Sequence, residues 1–374
     1  MPSDRRRFLV SAAALAGMSA LPRAFAATTQ TWPRYRDVLV VDACGVLGRF
    51  SAADENDIGA AELADIRAGG LTAINLTVSS VGSYKNDFEQ TLRSIGYWDR
   101  QIAAHPDVLM KLTRGAQLHE AKESGRLGIL FGFQDATMYG EDLERFDLFH
   151  DLGVRIVQPT YNRRNLIGDG CLEPGNAGLS KLGRELVAKI NERGVLLDLS
   201  HCGQRTTHEG IEASTRPVAI THSGCAAVND TPRNKRDEEL KLLAGHGGVI
   251  GIYIMPYLRS SGQVMAEDVI RHIEHAVKVC GEDHVGIGTD GFTSATDISA
   301  EFRKIFADQV EQRRKLGIGA PGESPDSYTF ATDLNTPLRF ERIAVLLSQR
   351  GHSDARIEKI LGGNFARLFR EVIA

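Results

Sequence analysis

Short apolar runs alternate with longer amphipathic segments along the chain from residue 37 onward. The runs are almost continuously hydrophobic, as strands of a parallel sheet are when helices cover both faces. Eight such runs are present, namely Val38–Val41, Thr72–Val78, Gly128–Phe133, Arg155–Pro159, Val195–Leu199, Pro217–Thr221, Gly248–Ile254 and His284–Gly288. Eight repeats of this kind predict an α/β fold, a closed (β/α)8 barrel of the TIM type.

The segments between the runs have helical periodicity. In Lys181–Arg193, apolar residues recur at helical spacing after Ser180, a residue type that caps helix N-termini. Val269–Val279 is a second periodic segment, and it ends before Gly281.

No Pro- or Ser-rich linker divides the chain, so residues 27–374 are expected to form one domain. Gly317–Ser327 carries Gly, Pro and Ser and is expected to form a loop. The tail from Thr336 to Ala374 is expected to be helical, with a break at Gly362-Gly363, and to pack across one end of the barrel.

The N-terminus has the pattern of an export signal. Arg5–Leu9 contains paired arginines followed by Phe-Leu, which fits the twin-arginine pattern, and Val10–Leu21 is apolar but too short to span a bilayer. Ala24–Ala26 supplies small residues for cleavage. We expect residues 1–26 to be a cleaved twin-arginine signal and the mature protein, with no transmembrane span, to be periplasmic or otherwise exported. An uncleaved anchor is the alternative.

Composition narrows the choice of partner. The 374 residues are 42% hydrophobic with a formal charge of −4, which supports a buried core but gives no basic surface for nucleic acid or an anionic membrane. Small, roughly neutral substrates fit better. The five cysteines have no paired spacing, and a Cys44–Cys225 or Cys202–Cys225 bridge stays open for an exported protein.

Active sites of such barrels lie at the C-terminal ends of the strands, where polar residues follow the apolar runs. His201, His222 and Asp290 each follow a different run. Two histidines and one carboxylate form a set that leaves zinc an open position for water, so hydrolytic chemistry is predicted. A single histidine after a strand is usually a structural residue, but three candidate ligands at equivalent ends favour a metal. The helical pair His272 and His275 is expected to be structural or at the surface.

Several stretches resemble, in order and spacing, those of the membrane dipeptidase (renal dipeptidase) family. They are Asp198–His201, Thr221–Ser223, Arg233–Asn234, Gly247–Gly251, Asp283–Asp290 and Gly362–Phe365, and the resemblance covers roughly residues 36 to 374. It implies a barrel of the amidohydrolase type that cleaves dipeptides, often with a D-residue at the C-terminal position, using two zinc ions bridged by a glutamate. A homodimer is expected by analogy with the family.

Four functional positions of that family are changed here. Its first strand ends in Asp-Gly-His-x-Asp, and the aligned run Asp42–Val46 has Cys44 in place of the His and Val46 in place of the last Asp. Gln134 aligns with the bridging glutamate, and Tyr161 with a histidine that contacts the substrate.

Electrostatics predicts the consequence. Val46 and Gln134 remove two negative charges from a site meant for two dications. Unit charges about 4 Å apart repel by about 1 kcal/mol in water and by about 4 kcal/mol at an effective dielectric constant of about 20, and dications by roughly four times as much. One zinc is therefore expected rather than two.

The remaining candidates each have two interpretations. Cys44 could complete a mononuclear site as a thiolate or be a small buried residue, and Gln134 is a further metal candidate. Asp42 and Asp135 could bind metal or hydrogen-bond to loop backbone.

Arg233 aligns with the family arginine that clamps the substrate carboxylate, although it could be a surface arginine. Tyr161 could bind substrate and donate a hydrogen bond to a developing oxyanion, but a phenol with a pKa near 10 cannot shuttle protons as histidine does.

Three hypotheses follow. The first is a zinc dipeptidase-like hydrolase in which Asp290 activates the water. The second is a hydrolase of another small amide or a lactone on the same scaffold. The third is a catalytically silent barrel that binds a small molecule.

Overall fold

In a computed structural model of the chain, residues 31–50, 57–82 and 85–374 are described, and Thr31–Ala374 forms one compact unit. The expected export signal, residues 1–26, lies outside the described residues. Within the described part of the chain, no helix is long and apolar enough to cross a membrane.

The described residues contain ten strands, and all strand pairs are parallel. They are β1 (Val41–Val46), β2 (Ala73–Thr77), β3 (Leu109–Lys111), β4 (Leu127–Phe133), β5 (Val154–Val157), β6 (Leu196–Leu197), β7 (Ala219–Ser223), β8 (Val249–Ile252), β9 (Val285–Ile287) and β10 (Gly291–Phe292). One arc has the order β10-β1-β2-β4-β5-β6, with β3 beside β4, and the other has the order β7-β8-β9.

Two contacts close these arcs into a barrel. A bridge between Asp198 and Ala219 joins the end of β6 to β7. On the other side, the Asp290 N–H donates to the Cys44 carbonyl at 2.7 Å and joins the end of β9 to β1. The expected closed barrel is therefore the fold of the chain.

Seven of the eight predicted runs overlap their strand, with bounds that agree within two residues at each end, and the first is wrong by several residues. We expected Val38–Val41, whereas β1 is Val41–Val46 and includes the aligned motif. The small residues Ala43 and Gly45 hide this strand from a hydrophobic pattern, and a side chain on Gly45 would meet those of Asp42 and Ile74 at 2.7 Å and 2.9 Å. The short strands β3 and β10 were not predicted.

Helices alternate with the strands. The α-helices are α1 (Ala60–Gly69), α2 (Asp87–Ala104), α3 (Gln117–Ser124), α4 (Glu144–Asp151), α5 (Lys181–Glu192), α6 (Gln204–Ala213), α7 (Asp237–Gly245), α8 (Ala266–Cys280), α9 (Ala300–Lys315), α10 (Arg339–Gln349), α11 (Asp354–Glu358) and α12 (Asn364–Val372). Short 3-10 turns cover Thr137–Tyr139, Pro256–Leu258, Glu282–His284 and Thr332–Leu334, and Lys359–Gly363 forms a π turn.

Two helix predictions can be compared directly with these bounds. Helix α5 begins where expected, and the Ser180 hydroxyl accepts a hydrogen bond from the Gly183 N–H. Helix α8 begins three residues before the predicted Val269 and ends at Cys280, directly before Gly281.

The tail closes the N-terminal end of the barrel. Phe365 and Phe369 of α12 belong to one buried apolar cluster with inward residues of the strands, among them Val41 and Val249. A side chain on Gly362 would meet the Leu39 carbonyl oxygen at 2.5 Å, so only glycine allows the tail this close to β1. The apolar end is thus sealed, and the polar residues gather at the opposite end.

Candidate metal and substrate site

The predicted ligands converge at the C-terminal end of the barrel. His201 follows β6, His222 lies in β7, Cys44 lies in β1 and Asp290 stands between β9 and β10. Ligand atoms of Cys44, His222 and Asp290 all lie within 4.8 Å of one another, while the predicted ligand His201 is not in this group and adjoins it through His222. Asp290 has a positive φ of 52°, a left-handed conformation that aspartate tolerates better than most residues.

His201 and His222 face each other directly. Their Nε2 atoms are 2.9 Å apart. On the far side of each ring, Nδ1 of His201 lies 2.6 Å from Oδ1 of Asn162, and Nδ1 of His222 lies 2.9 Å from Oγ1 of Thr221.

These partners fix which nitrogen of each ring carries the hydrogen. Asn162 donates through Nδ2 to the Ile318 carbonyl at 2.8 Å, so its oxygen faces His201. Thr221 donates its hydroxyl hydrogen to Asp198 at 2.5 Å, which leaves its oxygen to accept from His222. Both Nδ1 atoms are therefore donors, and each Nε2 presents a lone pair toward the other.

Two lone pairs at this separation repel, and a cation bound by both would relieve the repulsion, whereas the Arg233 guanidinium hydrogen-bonds only to the His201 member, at 3.3 Å from its Nε2. A proton is a poor candidate, because burial and then the positive charge of Arg233 lower the pKa of both imidazoles well below the usual value. Two neutral imidazoles beside a thiol and a carboxylate form a donor set that zinc accepts. The residues present therefore fit a metal ion.

Cys44 and Asp290 complete the cluster. The Cys44 thiol lies 3.9 Å from Oδ1 of Asp290. Burial and then the charge of Asp290 raise the pKa of the Cys44 thiol well above its usual value. Burial raises the pKa of Asp290 to about 6, against the opposing influence of Arg233. In the absence of a cation, a protonated thiol beside an ionised carboxylate is thus the favoured state at neutral pH.

Gln134 directs its amide nitrogen toward the cluster. Nε2 lies 3.3 Å from the Cys44 sulfur and donates to Oγ1 of Thr77 at 2.7 Å. In this orientation Gln134 is a hydrogen-bond donor, and ligation of a metal through its oxygen would require the amide to turn over. Val46, at the end of β1, pairs with Phe292 of β10 and supplies no ligand atom.

Asp42 and Asp135 lie outside the cluster. Asp42 accepts hydrogen bonds from the Thr289 N–H at 2.8 Å and the Thr289 hydroxyl at 2.6 Å, so it ties β1 to the segment that carries Asp290. One oxygen of Asp135 accepts from Asn165 and from Ala136, while the other is buried without a partner. Burial raises the pKa of each carboxyl to about 7.

Arg233 is not a surface residue, since only 1% of it is exposed. Its guanidinium donates to the Ser200 carbonyl at 2.6 Å and lies 3.3 Å from Nε2 of His201. Arg233 forms no ion pair with any described residue. A buried cation without a carboxylate is costly, so an anion is expected to bind beside the histidine pair.

Tyr161 stacks on His201, with ring centroids 4.2 Å apart. Arg313 donates to its hydroxyl oxygen at 3.2 Å, which leaves the phenolic hydrogen free to donate elsewhere. Arg313 is itself held by two 2.8 Å hydrogen bonds to Glu323. Burial raises the pKa of Tyr161, so its hydroxyl stays protonated.

Cys171 adjoins the site, where its thiol donates to Oδ1 of Asn162 at 3.3 Å, whereas the histidine pair of α8 does not take part in it. All five cysteines are free, so neither of the disulfide pairings considered is present in this structure. Both ring nitrogens of His272 bond to backbone, one to the Cys225 N–H and one to the Leu258 carbonyl. His275 bonds to Asp237 at 2.8 Å.

Sequence reasoning missed the residues that orient the ligands. Asn162 and Thr221 adjoin predicted positions, and their signal was adjacency to Tyr161 and His222 in the quoted motifs. Arg313 gave no signal, because it lies in the last turn of α9, far along the chain from any predicted strand end.

Comparison with family models and curated proteins gives consistent matches. Residues 44–306 match the model described as membrane dipeptidase (Peptidase family M19). The chain is 27% identical over 281 residues to dipeptidase tcpJ of Claviceps purpurea, covering 74% of this chain and 56% of that protein. It is 30% identical over 217 residues to dipeptidase verJ of Clonostachys rogersoniana, covering 55% and 56%. The chain thus spans little more than half the length of these relatives.

Solved structures agree over a larger share of both chains. A crystal structure of an amidohydrolase from Pseudomonas aeruginosa has a TM-score of 0.76 and 34% identity, covering 90% of this chain and 97% of that one. A metallo peptidase from Rhodobacter sphaeroides, liganded with a phosphinate mimic of the dipeptide L-Ala-D-Ala, has a TM-score of 0.72 and 19% identity, covering 90% and 99%. The second likeness concerns the fold alone.

Proposed function

The chain belongs to the membrane dipeptidase family, and on that premise we propose that it is a zinc-dependent hydrolase that cleaves small amides, with dipeptides as the substrate class. The observation that carries the proposal is the approach of the two histidine Nε2 atoms to 2.9 Å, beside the thiol of Cys44 and the carboxylate of Asp290. Hydrogen bonds on the outer side of both rings commit them to this state, which a bound cation stabilises.

His201 and His222 would hold the zinc, with Cys44 and Asp290 as further ligands. When bound, zinc polarises a carbonyl and lowers the pKa of a water molecule to about 7. We propose one ion per chain, because the aligned Val46 and Gln134 withdraw two carboxylates from the neighbouring position.

Three further roles, which are proton transfer, substrate binding and stabilisation of developing charge, fall to other residues of the chain. Asp290 accepts a proton from the attacking water through a carboxylate oxygen and passes it to the leaving amine. Arg233 binds the substrate carboxylate next to the histidine pair. Tyr161 donates its free hydroxyl hydrogen to the oxygen on which negative charge develops.

The remaining parts of the proposal rest on sequence. The twin-arginine pattern supports export of the folded protein after removal of residues 1–26. A homodimer is proposed from the family alone.

A panel of dipeptides tests the hydrolase, with release of free amino acids as the measurement. We expect hydrolysis by the zinc-loaded protein that a chelator abolishes and added zinc restores. Amidation of the substrate's C-terminal carboxylate should lower kcat/KM by about 100-fold, because Arg233 loses a charge-assisted partner. The Arg233→Lys variant should lose most of this discrimination, since lysine cannot bind a carboxylate in the bidentate fashion.

Two other outcomes would select the alternatives. Bound zinc without hydrolysis of any dipeptide would contradict the dipeptidase and favour another amide or a lactone as substrate, a possibility that Tyr161 and Gln134 motivate. No bound zinc and no hydrolysis would favour a silent small-molecule-binding barrel.

A further inference from the structure

A cavity adjoins the proposed metal site. Its volume is about 40 Å³, or about 490 Å³ when the open solvent at its mouth is included, and Asp290 and Thr289 form the wall nearest the site. Four aromatic rings, those of Phe50, Phe292, Phe302 and Phe330, lie in the remaining wall. Asp290 therefore faces both the metal cluster and an aromatic chamber.

The rings come from four separate segments and support one another. The Phe50 ring stands edge-on to Phe292 and Phe302, with centroid distances of 5.9 Å and 5.0 Å. Phe302 in turn contacts Phe330 at 6.2 Å and stacks on Phe306, which lies behind it at 5.7 Å and does not line the cavity. Edge-to-face packing of this kind fixes ring orientation, so the chamber is preformed.

The chamber differs from an ordinary extension of the core. Phe50, Phe292 and Phe330 are only partly buried, so their faces are available to a ligand. Ser294 also lines the cavity, and its buried hydroxyl has no hydrogen-bond partner. Core packing would cover the rings and satisfy the hydroxyl.

The positively charged side chain that lines the cavity already has hydrogen-bond partners within the protein. Arg339 lines the cavity, but its guanidinium donates to the backbone carbonyls of Phe292 and Ser294. Its hydrogen bonds hold the wall in place instead of offering a free site for an acidic group. The chamber therefore favours an uncharged, flat ligand group.

The position of Arg233 decides which end of a substrate enters. Arg233 adjoins His201 and does not line the chamber, which opens beside Asp290. A dipeptide with its carboxylate at Arg233 directs its N-terminal residue toward Asp290. We propose that the chamber is a specificity subsite that takes an aromatic side chain on the substrate's N-terminal residue. This inference rests on the proposed function for the direction in which the substrate lies.

Non-hydrolysable ligands test the subsite without requiring turnover. The probes are phosphinate mimics of L-Phe-D-Ala and L-Ala-D-Ala, titrated calorimetrically into the zinc-loaded protein. Burial of a benzyl group in place of a methyl group should make the first bind at least about tenfold more tightly. Equal affinity, or tighter binding of the alanine mimic, would overturn the proposal, as would failure of both mimics to bind.

Two wall variants locate the effect. Thr329→Trp places a large ring at a partly exposed position of the lining, and should cost the phenylalanine mimic about tenfold in affinity while leaving the alanine mimic within about twofold. Phe302→Ala removes a wall ring and should shrink the preference to below about threefold. Phe306→Ala is the matched control on the same helix and should keep the preference. An unchanged preference in both wall variants would overturn the assignment.

Failure of the subsite and failure of the hydrolase give different results. Dipeptide hydrolysis with no aromatic preference would leave the hydrolase standing and remove the subsite. An aromatic preference in binding that Thr329→Trp abolishes, without hydrolysis of any dipeptide, would retain the subsite and remove the hydrolase.

Discussion

The two halves of the metal site differ in how completely their side chains are oriented. In the half formed by His201 and His222, the outer nitrogen of each ring has a fixed acceptor, at 2.6 Å and 2.9 Å. In the half formed by Cys44, Val46 and Gln134, a thiol faces an amide nitrogen, and valine supplies methyl groups. The histidine half is therefore the prepared half, whereas the altered half offers the one proposed ion a single ligand atom, the Cys44 sulfur, and has too few ligands for an ion of its own.

The framework beneath the two halves is nevertheless the same. Asp198 accepts hydrogen bonds from the N–H and the hydroxyl of Thr221, which precedes His222. Asp42 accepts the same two bonds from Thr289, which precedes Asp290. Each carboxylate thus holds, by two hydrogen bonds, the threonine that directly precedes a site residue. The difference between the halves therefore lies in the ligand atoms and not in the scaffold.

Removal of a ligand from the prepared half should have the largest effect. His222→Ala deletes the imidazole shared by the facing pair and the Cys44–Asp290 cluster, and we expect zinc affinity to fall at least about 1000-fold, or about 4 kcal/mol. Competition with a zinc chelator measures it. Cys44→Ser is the matched variant in the other half and should cost less. A larger loss in Cys44→Ser would reverse the assignment of the two halves.

Asp135, a buried carboxyl next to Gln134 of the altered half, should make the free energy of unfolding change with pH by up to about 4 kcal/mol. Burial raises the pKa of Asp135 to about 7 from 3.8, so the native state keeps a proton that the unfolded chain loses between those values. The free energy of unfolding should therefore fall as pH rises from 4 to 7. Asp135→Asn is neutral throughout and should remove this part of the fall.

Urea unfolding of the metal-free protein at pH 4.5 and pH 8 measures the Asp135 effect. The quantity of interest is the difference between the wild type and Asp135→Asn, because other groups titrate in both proteins. Identical pH dependence in the two would contradict the assignment.

Restoration of the altered half should add a metal ion. The triple variant Cys44→His, Val46→Asp, Gln134→Glu supplies the family's ligands on an unchanged scaffold, and we expect it to bind a second zinc at least about 100-fold more tightly than the wild type does. Elemental analysis after dialysis against buffered zinc gives the count. A folded triple variant that still holds one ion would show that the framework differs as well.

Removal of a hydrogen-bond partner that orients a histidine of the prepared half should lower zinc affinity by a smaller factor. Thr221→Val keeps the shape but removes the acceptor for Nδ1 of His222, and loss of such a partner lowers metal affinity by about 10- to 100-fold. Thr207→Val, a buried threonine whose hydroxyl bonds to Lys235 and the Cys202 carbonyl, controls for loss of a buried hydroxyl elsewhere. Equal zinc affinities in the two variants would remove the orienting role.

The barrel could be predicted from sequence because parallel strands covered on both faces read as apolar runs. Strand β1 was misplaced because Ala43 and Gly45 are small, and β10 was missed because two residues carry no periodicity. The ligand candidates could be collected as polar residues after strands. Their orienting partners could not, because the 2.6 Å contact of Asn162 with His201 and the approach of Arg313 from α9 depend on distances across the fold.

The number of zinc ions per chain in the wild-type protein shows whether the site holds one ion. The protein should be purified without chelator and analysed by elemental analysis beside His222→Ala. We expect about one zinc per chain in the wild type and none in the variant. Two ions in the wild type would contradict the inference that the altered half cannot hold a second ion, and none would contradict the inference that the histidine pair is prepared for a cation.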